Sequence, residues 1–302
     1  MSKVVITGTG TIAQELAFIL DAKGYRVFFL STTRSYFNKF PCFNWNVDNE
    51  TIDPEALKDV EYIIHLAGAG IADKKWSNSR KKELIDSRVK SAELLHRTIK
   101  QNDIHLKAFI TASGSNYYGL SSSDQIMSEN DLHGDDFIGN LCNEWEQAAD
   151  KFEEYDSRVV ALRTGVVLSK TGGALERLRK LVKNFLGAPI GNGKQIMPWI
   201  HIDDLCQMYL HAVENDNVSG SYNAVADQKV CNRYFMHSLG RVMKRPILPI
   251  PVPKFVMKMM FGEMAGLLIN GYHLSNDKIK ETGFNFKYKR LLPAMEDLLS
   301  NK

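Results

Sequence analysis

The chain has 302 residues, 44% of them hydrophobic, with 38 basic against 35 acidic side chains and a net charge of +3. That length buries a large core in one big domain or two unequal ones, and the near balance of charge offers no footing for nucleic acid or an anionic membrane. No apolar run approaches the ~20 residues of a membrane span, and the chain enters its first strand with no signal-peptide architecture, so a cytoplasmic protein is expected.

The first predicted element is a short β-branched strand over residues 4–7. It ends in "TGTGTIAQEL", where Gly8, Gly10 and Ala13 spell Gly-x-Gly-x-x-Ala. Placed between a strand and a helix, this is a dinucleotide-binding fingerprint. Gly10 lets the helix N-terminus approach a pyrophosphate, and backbone N–H groups and the helix dipole face its charge. The helix carries Ile12, Ala13, Leu16, Ala17, Ile19 and Leu20 on one side and stops at Gly24.

A second strand, "YRVFFLS", is followed by Thr32, Thr33 and Arg34. An NAD site wants an acid here for the ribose 2′-OH, and none is nearby. A guanidinium beside the hydroxyls of Ser31, Thr32 and Thr33 suits a 2′-phosphate, so NADP(H) is the expected cofactor.

Further along come "YIIHLAG" (62–68), a long polar helix with Leu84, Ile85, Val89 and Leu94 inward, "KAFITAS" (107–113), a helix around 144–152, and a strand over 158–168. Apolar runs alternating with amphipathic helices predict an α/β fold whose parallel sheet is covered on both faces and doubly wound. After residue 168 the rhythm breaks. Residues 246–253, "PILPIPVP", hold four prolines and form an extended connector, and two or three helices close the chain.

The motifs "HLAGAGIADKKW", "ITASGSNYYG", "LRTGVVL", "WIHIDDL" and "GEMAGLL" resemble those of the extended short-chain dehydrogenase/reductases, in particular the atypical branch of epimerase-family proteins. The resemblance runs from residue 3 to residue 299. It implies a Rossmann-type doubly wound domain over 1–168, with part of 198–226 returning to it. A smaller substrate-side domain then comprises 169–197 and 227–302. The expected cofactor-binding set is Gly8, Thr9, Gly10, Thr11, Ile12, Ser31, Thr32, Thr33, Arg34, Leu66, Ala67, Gly68, Arg88, Thr111, Ala112, Cys142, Arg163, Gly165 and Val166.

Two departures from the resembled pattern bear on function. Extended relatives carry Gly-x-x-Gly-x-x-Gly at the first turn, so the turn here is one residue shorter. Ordinary members also use Tyr-x-x-x-Lys on a helix, the phenol as acid/base and the lysine on the nicotinamide ribose. Counting back from Glu146 puts Ile138 and Cys142 at those positions, and Arg88 at the position of a helical asparagine. An alkyl group has no proton to give, and an unperturbed thiol is mostly neutral at pH 7.

Candidate catalytic residues are therefore Ser113, at the end of "ITAS", Tyr117 in "SNYYG", and Cys142 if Arg88 lowers its pKa. Tyr118 is the neighbouring phenol. Asp73, Lys74 and Trp76 line the expected entrance, although the basic cluster from Lys74 to Lys82 also reads as a solvated helix face. His201 and Asp203 stand two residues apart and are expected to be structural, Asp203 as an N-cap. No metal site is expected, since Cys42, Cys142, Cys206 and Cys231 are far apart and no metal-binding motif occurs. Two functions fit: an NADP-dependent oxidoreductase or epimerase-like enzyme acting on a small polar molecule, or an NADP(H)-occupied sensor that has lost catalysis.

Overall fold

A computed structural model describes residues 1–32 and 38–300; Thr33 and Arg34 lie outside them. Its strands are β1 (Lys3–Thr7), β2 (Arg26–Ser31), β3 (Cys42–Asn46), β4 (Thr51–Ile52), β5 (Val60–His65), β6 (Ala108–Gly114), β7 (Ser122–Met127), β8 (Arg158–Thr164), β9 (Val166–Leu168), β10 (Trp199–His201), β11 (Gly220–Ala224) and β12 (Gly271–Leu274). Eight of them form one sheet in the order β11-β8-β6-β5-β1-β2-β3-β4, parallel throughout except where β4 runs against β3. The chain builds outward from β1 through β2 to β3, then returns to place β5 on the other side of β1. That reversal opens a crevice at the carboxyl ends of β1 and β5, where doubly wound sheets bind their ligands.

The sheet is buried on both faces, which is why β1 reads as an unbroken apolar run. Val4 and Ile6 enter one core with Leu16, Leu20 and Tyr209; Val5 enters the other with Leu95, Phe109 and Phe152. Helices α1 (Thr11–Ala22), α2 (Pro54–Leu57), α3 (Asn78–Gln101), α4 (Phe137–Asp150), α5 (Gly173–Lys183) and α6 (Ile202–Glu214) follow in chain order. α1 packs on α6, and α3 on α4. The remaining helices are α7 (Asn232–Met243), α8 (Lys254–Phe261), α9 (Gly266–Ile269), α10 (Asp277–Glu281) and α11 (Leu291–Leu299). β11 joins the main sheet beside β8, while β12 pairs with β7 in a separate ribbon.

Three local expectations are corrected. Residues 158–168 are two strands, because the chain leaves the sheet at Gly165. The Val166 N–H bonds Pro198 O at 2.7 Å, and β9 then pairs with β10. Gly165 is required there, since a Cβ would lie 2.8 Å from Pro198 O. The helix expected around 144–152 begins at Phe137, where Asp136 caps it by accepting the Gly139 N–H at 3.0 Å. The cap of α6 is His201, whose Nδ1 accepts the Asp203 N–H at 3.1 Å.

Candidate functional site

The first turn is built around two glycines with different duties. Gly8 has φ +82°, and a Cβ on it would lie 3.2 Å from Ala67 Cα, so backbone packs on backbone between the ends of β1 and β5. Gly10 is exposed, and a Cβ on it would meet nothing within 4 Å. It stands at the N-cap of α1 with no side-chain cap and no acid in the first turn. The positive end of α1 is therefore left open and without a counter-charge, the setting in which helix N-termini bind anions. Gln14 Nε2 donates to Thr9 O at 3.1 Å and braces the turn.

Beneath the turn runs a buried polar chain whose proton positions follow from counting. Thr7 Oγ1 accepts the Leu66 and Ala67 N–H groups, both at 3.1 Å. With its lone pairs taken, it donates its proton to His65 Nδ1 at 2.8 Å. His65 is then the neutral Nε2–H tautomer and donates to Ser91 Oγ at 3.1 Å, and Ser91 donates to Ser87 O at 2.8 Å. The chain fixes the Leu66–Ala67 segment over Gly8 and so shapes the crevice.

Burial pushes the His65 imidazole down to about 4. Burial does the same, also to about 4, for His201, which stacks on Tyr288 at 3.8 Å. Unfolded histidines titrate near 6.5, so between pH 6.5 and 4 the unfolded state binds more protons and stability falls with falling pH. Asp150, raised to about 6 by burial, and Asp204, also raised by burial, act in the opposite direction, but burial lowers four histidines, His211 and His273 with the two above, and they outweigh the two carboxyls. The urea midpoint should therefore be lower at pH 5 than at pH 7, and His65 should show no imidazole titration near 6.5 by NMR. A His65 titration there would contradict the burial that holds the ring neutral.

On the β5–β6 side, α4 turns Ile138, Cys142, Trp145 and Glu146 inward. Ile138 is fully buried among Leu84, Leu141 and Cys142. Cys142 Sγ lies 3.3 Å from where a Cβ on Gly114 would be. Its thiol is pushed up to about 12, by burial first and then by the Glu146 carboxylate, despite the nearby Arg88. The expectation that Arg88 would activate Cys142 is thus corrected, because desolvation outweighs the neighbouring cation. Arg88 is itself buried. It donates to Leu84 O and Ala69 O, both at 2.9 Å, and faces the Trp145 ring at 4.7 Å.

Next to Cys142 lies a second network, centred on a residue that sequence reading used only as a counting mark. Glu146 takes both arms of Arg163, Nε at 2.9 Å and Nη2 at 2.8 Å. It also accepts the hydroxyls of Ser113 at 2.6 Å and Ser221 at 2.9 Å. Arg163 Nη1 reaches Tyr118 Oη at 3.0 Å, and Tyr118 donates to Asn223 Oδ1 at 2.8 Å. The guanidinium also stacks under Tyr117, 3.4 Å from the ring centre. Two expectations change here: Arg163 is committed to Glu146 instead of a cofactor, and the Ser113 proton is held by the same carboxylate. Tyr117 remains half-buried at the crevice, its phenol raised by burial. Thr111 is wholly buried, with Ala112 half-buried beside it.

Trp76, Phe137, Tyr117 and Leu267, each partly buried, pack against the cluster of Ile138 and Leu84, and Lys81 of α3 pairs with Glu263 at 2.5 Å. Asp73 is held by Arg177 of α5 at 2.8 Å, while Lys74 is exposed. His201 and Asp204 belong to the C-terminal packing: the Asp204 carboxylate accepts the Lys287 and Tyr288 N–H groups at 2.8 and 2.9 Å. Among the described residues no cluster of His, Cys, Asp or Glu could hold a metal ion, and no helix is long and apolar enough to cross a membrane. Thr7, His65 and Glu146 carry a signal in the sequence, since each is a polar group inside an apolar run or on an inward helix face, and Arg163 carries the same signal with a different role from the one its motif implies.

Residues 4–225 match the NAD dependent epimerase/dehydratase family, and residues 252–298 match a domain of unknown function, DUF1731. Among curated proteins, the chain is 36% identical over 254 residues to epimerase family protein Mb2239 of Mycobacterium bovis, covering 83% of each chain. It is 34% identical over 295 residues to epimerase family protein ML0860 of Mycobacterium leprae, covering 97% of this chain and 94% of that one. Among solved structures, the human epimerase family protein SDR39U1 (isoform 2) with NADPH superposes with a TM-score of 0.89 at 30% identity, covering 99% of this chain and all of the other.

Proposed function

The chain belongs to the NAD dependent epimerase/dehydratase family, and from that premise we propose that it binds NADP(H) and acts as an atypical short-chain oxidoreductase or epimerase-like enzyme on a small molecule. The observation that carries the reading is the uncapped N-terminus of α1 beside the open Gly10, a cradle for a pyrophosphate. Gly8 and the first turn of α1 would hold the phosphates. Leu66, Ala67 and Gly68, fixed by Thr7, would border the cofactor where it crosses from β1 to β5. The choice of NADP(H) is supported by Arg34 with no acid at the end of β2, and by the NADPH in the human relative's structure.

The cofactor supplies hydride chemistry when bound. The proton must come from elsewhere than the usual dyad, because Ile138 has none and Cys142 keeps its own. Tyr117 is the remaining phenol at the crevice, oriented by Arg163 beneath its ring. Trp76, Phe137 and Leu267, partly buried beside Ile138 and Tyr117, would favour a substrate with apolar surface next to its polar reacting group. A second reading, an NADP(H) sensor without turnover, is favoured by Ser113 being tied to Glu146.

Calorimetric titration tests the cofactor. NADPH should bind more tightly than NADH, and Arg34→Ala should weaken NADPH by about tenfold or more while leaving NADH unchanged. Equal binding of the two cofactors would defeat the NADP(H) assignment. A carbonyl-substrate panel with NADPH tests the chemistry: turnover lost in Tyr117→Phe supports the enzyme, and no turnover on any compound supports the sensor.

A further inference from the structure

We propose that Arg88 is a fixed, uncompensated cation under the nicotinamide side of the cleft, which makes the protein favour NADPH over NADP+. The inference rests on the dinucleotide reading above and adds a preference between the two redox forms.

The first observation is the isolation of the charge. Arg88 is 5% exposed, its hydrogen-bond acceptors are the neutral Leu84 O, Ala69 O and Ser87 Oγ, and its Nε is buried with no partner. Among the described residues no carboxylate pairs with it. The inward carboxylate of α4, Glu146, is occupied by Arg163, Ser113 and Ser221. The neighbouring Cys142 offers no counter-charge, because its thiol stays protonated. Burial lowers the guanidinium only to about 10, so it remains charged at neutral pH.

The second observation is position. Gly68 is exposed at the end of the β5 segment, and a Cβ there would lie 3.1 Å from Arg88 Cζ. The cation is therefore one layer beneath the cleft surface. In a doubly wound fold one mononucleotide half lies over β1–β2 and the other over β5–β6. The sequence offers Arg34, just after β2, to the 2′-phosphate of the adenine half, so the β5–β6 side, where Gly68, Arg88 and Cys142 meet, would receive the nicotinamide.

The oxidised nicotinamide ring bears a positive charge that the reduced ring lacks. Attraction of Arg88 for the phosphates is common to both forms and cancels in the ratio of affinities, leaving repulsion of the cationic ring. A unit charge a few ångströms away in a partly desolvated site accounts for about tenfold or more in that ratio.

The test is the ratio of Kd values for NADP+ and NADPH, measured calorimetrically on the full chain, with thermal melts for folding. Wild type and Arg88→Lys should both prefer NADPH by about tenfold or more, and Arg88→Gln should bring the ratio to within about threefold of unity. Cys142→Asp, which sets a counter-charge beside an intact Arg88, should also lower the ratio and serves where Arg88→Gln does not fold. A wild-type ratio near one, or an unchanged ratio in folded Arg88→Gln or Cys142→Asp, overturns the proposal. Failure of wild type to bind either form overturns the dinucleotide reading itself, and this inference with it.

Discussion

Replacing Glu146 by alanine is expected to destabilise the fold by about 3–5 kcal/mol, the usual consequence of stranding one partner of a buried ion pair. The pair is 4% and 7% exposed and bidentate. Loss of the carboxylate leaves Arg163 charged in a dry site, with Tyr118 and the Glu129 carbonyl as its remaining acceptors among the described residues. It also strips the hydroxyls of Ser113 and Ser221 of their acceptor. Glu146→Gln should recover part of the loss, since an amide oxygen can still accept but carries no charge. The double variant Glu146→Leu with Arg163→Met should be less damaged than Glu146→Ala, because it removes both charges and keeps most of the volume. Urea denaturation decides the matter: a loss under about 1 kcal/mol for Glu146→Ala would mean that the network does not organise the strand ends.

The same network explains what was and was not legible in the sequence. Buried parallel strands are apolar on both faces, so β1, β2, β5, β6 and β8 stand out as continuous runs. Strand β3, Cys42–Asn46, next to the β4 edge, does not stand out, because only Trp45 is buried and Asn44 is exposed. The Gly8–Gly10 turn was legible because its requirement is local, a left-handed glycine and an open N-cap within three residues.

Glu146 was not legible as a hub. Its partners Ser113, Arg163 and Ser221 lie 33, 17 and 75 residues away, and only the sheet order brings them together. For the same reason the motif around Arg163 points to the cofactor, although its guanidinium is bound within the protein by Glu146 and Tyr118. The opposite case is Arg88, a residue expected in the cleft, whose importance depends on the absence of an acid that no short motif could report.

The central claim is that the open turn at Gly10 is the seat of a dinucleotide, and Gly10→Asp separates that claim from folding. Gly10 has φ −70° and ψ 175°, extended backbone that aspartate adopts freely. A Cβ there touches nothing, so the side chain projects into the crevice without displacing the core. As an N-cap residue with a negative charge at the positive end of α1, aspartate should hold or raise stability by a few tenths to about 1 kcal/mol. The same carboxylate occupies the N–H groups that a pyrophosphate would use and repels its charge at short range. NADPH affinity should fall by about 100-fold or more, roughly 2.7 kcal/mol in binding.

Parallel thermal melts and NADPH fluorescence titrations of wild type and Gly10→Asp measure both effects on one pair of proteins. The expected result is a melting temperature equal to or above wild type together with loss of NADPH binding. Undiminished NADPH affinity in a folded Gly10→Asp protein would place the cofactor elsewhere and contradict the site described here.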